Sequence, residues 1–337
     1  MVKFCKALIV LFLLLPVLTR AQAESSKYNP DKPGKWSFSC NISNPGADYV
    51  AFEKNVTAVA GWFHQHVPIM VDPKGFDLSV VLFGTWDDNY KKRKCNYGVR
   101  GELNFGFQLF LNESRGGGKW IVEPPAYEFD INNTETGHGT NSNWNGFDYR
   151  YDAPNLEGPM DNAAGDLNDL FSVFPLEKEM SPGISLYGDG HLIVFNPDRP
   201  PFWVPVTLRE YAKMTLDYYT IFKNKEMGEM MLSELEKELA ELTEEELNAP
   251  AYQGDEKHFV LNANGRMQGL QIMRFNPEYW DRSLPPSAIQ FMTLWYPKLS
   301  QAETDEYFQN NGHPHFAQLV LNSINLDELA GLIMQKN

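Results

Sequence analysis

Apolar residues recur every three or four positions in the first part of the chain. Tyr49, Phe52, Val56, Val59, Ala60, Phe63 and Val67 fall on one stripe, which predicts a helix from Gly46 that Pro68 ends. The period then drops to two. Three runs read as strands: Phe76 to Trp86, Gly98 to Leu111 and Trp120 to Ile131, the last broken by Pro124-Pro125. In the second run Leu103, Phe105, Phe107, Leu109 and Leu111 share one face. Asn112 to Lys119 includes three consecutive glycines and reads as a hairpin loop. These elements predict an antiparallel meander packed on the first helix.

Residues 132–162 have no period. They are rich in Asn, Gly, Thr, Asp and aromatics, and an irregular stretch of that length inside a compact domain usually serves function or is disordered. A short helix is expected from Asp161 to about Phe174, then a strand over Gly190 to Phe195. Thr207 and Glu210 form a capping box before one long helix near 207–242, softer around Gly228. Its Glu-rich end, Glu234 to Glu246, reads as a solvated face. A second capping box, Thr243 with Glu246, starts a short turn. Strands are expected at Met267 to Phe275, Ile289 to Trp295 and Phe316 to Leu321. Ser300 and Asn325 cap two short helices. Helices and strands mix without regular βαβ alternation, so the fold class is α+β. The unit is expected to span 36–337, as one compact body or as two packed halves, 36–160 and 161–337. One echo recurs: Val194-Phe-Asn-Pro-Asp198 and Arg274-Phe-Asn-Pro-Glu278 each follow a probable strand. It reads as coincidence, a divergent duplication, or two matching strand-to-turn corners.

The first 23 residues change the picture. Lys3 and Lys6, an apolar run from Ala7 to Leu18, and Ala21-Gln22-Ala23 are the three regions of a signal peptide. The run is too short for a spanning helix. Export is therefore expected, to the periplasm, the cell surface or the medium, with 24–35 as a loose polar leader and no transmembrane helix after cleavage. Loss of Lys3, Lys6 and Arg20 would take the formal net charge from -15 to -18. That charge argues against nucleic acid as the main partner. Cys5 leaves with the signal. Cys40 and Cys95 remain and, in an oxidising compartment, are expected to pair, with free buried thiols as the alternative. The disulfide would close a loop of about 55 residues and contribute about 4 kcal/mol.

No serine-hydrolase elbow, zincin, P-loop, dinucleotide or C-x-x-C motif is present. No cofactor and no metal site are implied. His64-x-His66 lies on a helix, where residues two apart diverge. His313-Pro-His315 lies in a loop where two rings could converge. Asp130-Ile-Asn132-Asn133-Thr134 has oxygen spacing like a calcium loop, but Glu135 stands where an EF-hand needs Gly. His138 and His191 stand beside glycines at loop-to-strand junctions. With Asp148 and Asp189 they are the candidates for acid/base chemistry. The aromatics are 13% of the chain, and Trp144, Trp203, Trp280 and Trp295 fall in loops or at strand ends. Aromatics beside Asn, Asp and Gly suit sugar rings, whose CH faces stack while their hydroxyls bond to polar groups. The candidate ligand contacts are Trp144, Asn145, Asp148, Tyr149, Trp203 and Trp280.

At NPDRPPFWVPVTLREYAKMTLDYY, flanked by GISLYGDGHLIVFNP and NPEYWDRSLPPSAIQFMTLWYP, the chain resembles a group of uncharacterised exported bacterial proteins of the kind common in Bacteroidetes. The resemblance implies a bacterial, exported protein and carries over no catalytic residue. The residues favour a non-catalytic protein that binds a polar ligand such as a glycan. The alternatives are a hydrolase working through His138, Asp148, Asp189 and His191, and a structural or complex-forming envelope protein.

Overall fold

The computed structural model describes residues 28–41, 47–84, 99–112, 118–119, 124–133, 140–142, 170–188, 190–222, 228–252 and 270–333. Twelve strands are present among them: β1 (Trp36–Asn41), β2 (Phe76–Gly84), β3 (Gly101–Leu109), β4 (Ala126–Ile131), β5 (Thr140–Ser142), β6 (Leu170–Val173), β7 (Leu176–Ser181), β8 (Ile184–Tyr187), β9 (His191–Phe195), β10 (Trp203–Pro205), β11 (Gln271–Phe275) and β12 (Phe291–Trp295). The helices are α1 (Ala47–His66), α2 (Pro68–Val71), α3 (Leu208–Phe222), α4 (Gly228–Ala240), α5 (Glu244–Leu247), α6 (Gln301–Asn311), α7 (Phe316–Leu321) and α8 (Leu326–Ala330). None is long and apolar enough to cross a membrane.

The strands form two sheets, one of eight in the order β1-β2-β3-β4-β12-β9-β8-β7 and one of four in the order β10-β11-β6-β5. All pairs are antiparallel except β1 with β2. Alternation sorts the side chains into layers. On β9, Leu192 and Val194 join the core under α1, α7 and α8, while Ile193 and Phe195 point the other way. On β12, Met292 and Leu294 face that same core and Phe291 the opposite one. On β11, Met273 and Phe275 meet these residues from the second sheet, while Ile272 packs under α3 and α4. The molecule is thus α+β in four layers, helix, sheet, sheet, helix, with three apolar seams between them.

The helix over 46–67 and the three-strand meander form as the pattern predicts. The capping boxes at Thr243 and Ser300 and the Asn325 cap are present, and Thr207 and Glu210 exchange the same bonds. Three expectations are corrected. The run Phe316 to Leu321 is helix, not strand. Its buried Phe316, Ala317, Val320 and Leu321 recur at i, i+1, i+4 and i+5, the spacing of a helix face rather than the alternation of a strand. Leu170–Val173 is strand β6, not the end of a helix; the rest of that expected helix lies outside the described residues. The long helix near 207–242 is two helices folded back on each other, so that Tyr211 and Leu235 share one core and Leu216 and Leu239 line one groove. Folding back buries both apolar stripes, which a single straight helix would leave half exposed. The leader is described from Tyr28, which is buried and bridges to Leu111. Cys40 has no disulfide among the described residues, and its half-buried thiol is pushed up to about 11 by burial and by the Glu53 carboxylate. Cys95 lies outside those residues.

The echoing corners are equivalent turns. In each, the asparagine side chain accepts from the backbone N–H two residues on, at 3.0 Å for Asn196 with Asp198 and 3.0 Å for Asn276 with Glu278. In each, the asparagine carbonyl accepts from the third residue, Arg199 or Tyr279. The first corner leaves the large sheet and the second leaves the small one. They are tied directly. The Tyr279 hydroxyl accepts from Asn196 N at 2.9 Å and donates to Gln290 O at 2.7 Å. Arg199 Nε donates to Tyr279 O at 2.8 Å.

Candidate functional site

Trp203 and Trp280, expected as ligand contacts, lie in the seam between the sheets. They pack with Phe171, Phe202, Phe275, Tyr279 and Phe291, at 8% and 6% exposure. They anchor the two corners and present almost no face to a ligand. Trp144, Asn145, Asp148, Tyr149, His138 and Asp189 lie outside the described residues. The candidates that remain in view are His191 and one aromatic from the wider set, Trp295.

These two are neighbours in the large sheet. His191 opens β9, Trp295 closes β12, and they are direct cross-strand partners. The end of β12 is fixed by its backbone. Tyr127 donates its hydroxyl to Trp295 O at 2.7 Å, and Tyr296 N donates to Gly190 O at 2.6 Å. Gly190 has φ +91°, and a Cβ there would stand 3.0 Å from Tyr296 O and 3.4 Å from Trp295 Nε1. Only glycine both adopts that conformation at low cost and lets the indole edge come this close. The side chain of Trp295 is nevertheless 38% exposed, on a strand whose other side chains are buried. The result is a large aromatic at the surface on a strand end whose backbone is pinned.

Imidazole and phenol rings extend this face. His315, between α6 and α7, has its ring 5.7 Å from that of Trp295, and Tyr307 from α6 stands 4.6 Å from His315. His315 caps α7, its Nδ1 accepting from Gln318 N at 3.3 Å. Burial holds the His315 imidazole below its ordinary 6.5; a backbone hydrogen bond works the other way, and His313 adds to the lowering. Burial pushes the Tyr307 phenol up. The His315 and Tyr307 rings are therefore neutral near pH 7, with hydrogen-bonding tips, and Lys298, just beyond β12, is paired with Glu177. Such a surface stacks and hydrogen-bonds with an uncharged polar molecule.

β5 enters the small sheet near this end of the fold. Thr140 pairs with Val173, and Pro175, two residues further, accepts from Gly188 N at 3.0 Å beside Gly190 and His191.

The other motifs resolve differently. The rings of His64 and His66 diverge, each stacked on its own indole, Trp36 at 4.4 Å and Trp62 at 5.0 Å. The calcium-like spacing at 130–134 serves the backbone instead. Asn132, at φ 55°, donates to Val99 O and Ala288 O and accepts from Gln290 N. No cluster of metal ligands occurs among the described residues. A groove of about 230 Å³ on the outer helix layer is floored by Ala212, Leu216, Leu239 and Leu247. Its cations Arg209 and Lys213 are paired with Glu244 and Asp217, and it holds none of the expected site residues.

Sequence reasoning noted Trp295 only as one aromatic of several, and weighed His315 only as half of a metal motif. The sequence signals were a tryptophan at the end of a strand and, separately, a glycine-flanked histidine at the start of another; their pairing is a matter of register. No family model matches the chain, and no curated protein and no solved structure matches it significantly.

Proposed function

We propose that the chain is an exported protein that binds a neutral polar ligand, such as a glycan, against Trp295, and that it binds rather than catalyses. The observation that carries this reading is the 38% exposed indole of Trp295 at a hydrogen-bonded strand end, with His191 as its cross-strand partner, the His315 ring beside it and Tyr307 against His315. A sugar ring stacked on the indole would find imidazole and phenol donors and acceptors at its edge. The signal-like residues 1–23 and the acidic composition support export and argue against nucleic acid. Trp144, Asn145, Asp148 and Tyr149 remain the further contacts assigned from sequence.

A glycan array probed with the wild-type protein and with Trp295→Ala tests the reading. One stacking contact is worth about 1 kcal/mol, so the hits should weaken at least about fivefold in the variant. Hits that bind the variant as tightly as wild type, with its thermal midpoint unchanged, would sink the assignment.

A further inference from the structure

His315 does two jobs at once. Its Nδ1 accepts the Gln318 N–H at the start of α7, and its ring stands against Trp295 and Tyr307. An imidazole accepts at Nδ1 only while that nitrogen is unprotonated. His313, two residues away, has the opposite arrangement: its Nδ1 lies 2.9 Å from Pro314 O, a contact that requires a proton there. We infer that His315 makes the Trp295 face responsive to mild acid. Neutral, it caps α7 and adds no charge to the face. Protonated, it releases the cap and sets a positive charge between Trp295 and Tyr307.

The surroundings decide the direction. Among the described residues, the titratable groups packed against His315 are Tyr307 from α6 and His313 from its own loop. β12 contributes the uncharged Trp295, with His191 opposite it, and α7 contributes Gln318. Neither Tyr307 nor His313 offers a negative charge that would stabilise the imidazolium. Burial and the neighbouring imidazole favour the neutral form and together outweigh a backbone hydrogen bond that favours the charged one, so protonation needs a pH below 6.5. The group is a base with a depressed folded value. Its neutral-state contribution is therefore complete above the unfolded value and is lost as pH falls through the folded one. α7 carries Phe316, Ala317, Val320 and Leu321 into the main core, so loosening its first turn also loosens the packing beneath the face. The effect on ligand rests on the reading of Trp295 as the contact face; the switch itself does not.

A pH titration followed by NMR from 7.5 to 5 tests this without any ligand. It reads the His315 ring proton and the exchange protection of the Gln318 amide, corrected for intrinsic exchange. His315 should titrate below 6.5. Losing a cap worth about 1 kcal/mol should lower Gln318 protection about fivefold across the same transition. In His315→Asn, an asparagine cap that does not titrate, protection should hold throughout. Tryptophan emission should fall in acid for wild type and not for the variant. Gln318 protection that ignores pH, or a variant that keeps the wild-type acid response, overturns the switch. Neither result touches the binding reading, which falls only if Trp295→Ala keeps full affinity.

Discussion

Replacing Tyr279 with phenylalanine removes one oxygen and leaves the ring, so no cavity of consequence opens. That oxygen joins the two sheets: it accepts from Asn196 N at the end of β9 and donates to Gln290 O before β12. Tyr279 is 1% exposed and Gln290 4%, so the Gln290 carbonyl would lose its bond where water does not reach. Asn196 is half-buried and can recover part of its loss from solvent. A buried orphaned group costs about 1–3 kcal/mol, and with a fraction more for Asn196 the total comes to about 2–3 kcal/mol. For a chain of this size that is a fall of roughly 3–4 °C in thermal midpoint. Thr293→Val is the internal control. The Thr293 hydroxyl is buried and has no hydrogen-bond partner among the described residues, so removing it should be neutral or slightly stabilising. Denaturant titration of both variants reads the difference. If Tyr279→Phe stays within about 0.5 kcal/mol of wild type, or Thr293→Val costs as much, the corners do not lock the sheets as argued.

Two other outcomes follow from the same geometry. Gly190→Ala places a Cβ 3.0 Å from Tyr296 O at a φ of +91°; it should destabilise by about 1–3 kcal/mol and, by moving the indole, weaken ligand binding as well. Calorimetry with an array hit separates the two effects. Acid should act through the helix caps. Bonds from Thr243 and Ser300 hold Glu246 and Glu303 below 4.5. Burial works to raise Glu210, but its bonds from Thr207 and Arg274 prevail and lower it too. Carboxylates with depressed values give stability that is present above 4.5 and lost as pH falls through their folded values. The triple Gln variant should therefore show a flatter acid limb in a plot of thermal midpoint against pH.

How much the sequence foretold depends on whether local pattern or distant packing decided each element. α1 was legible because one stripe of seven apolar residues had nowhere else to go. β2, β3 and β4 were legible because strict alternation specifies a half-buried strand. The caps at Thr243 and Ser300 are local chemistry and appeared as read. β7 was invisible: its sequence, Leu-Glu-Lys-Glu-Met-Ser, is an exposed edge strand whose charges suit an edge and conceal the period. Phe316 to Leu321 is short and apolar, and a non-local core decided it in favour of helix. The tryptophans show the same limit. Trp203 and Trp280 share the Pro-rich loop context that suggests exposure, yet the second sheet buries both. Trp295 sits in an ordinary-looking strand, and only the register with β9 brings it to His191 and to the surface.

The central claim is that a ligand rests on Trp295. Fluorine NMR on protein carrying 5-fluorotryptophan tests it most directly, with the Trp295 signal assigned by Trp295→Phe. On addition of a glycan hit, the account predicts that the Trp295 resonance shifts in proportion to occupancy while Trp203 and Trp280 stay fixed. A Trp295 resonance that stays in place at saturating glycan would contradict it.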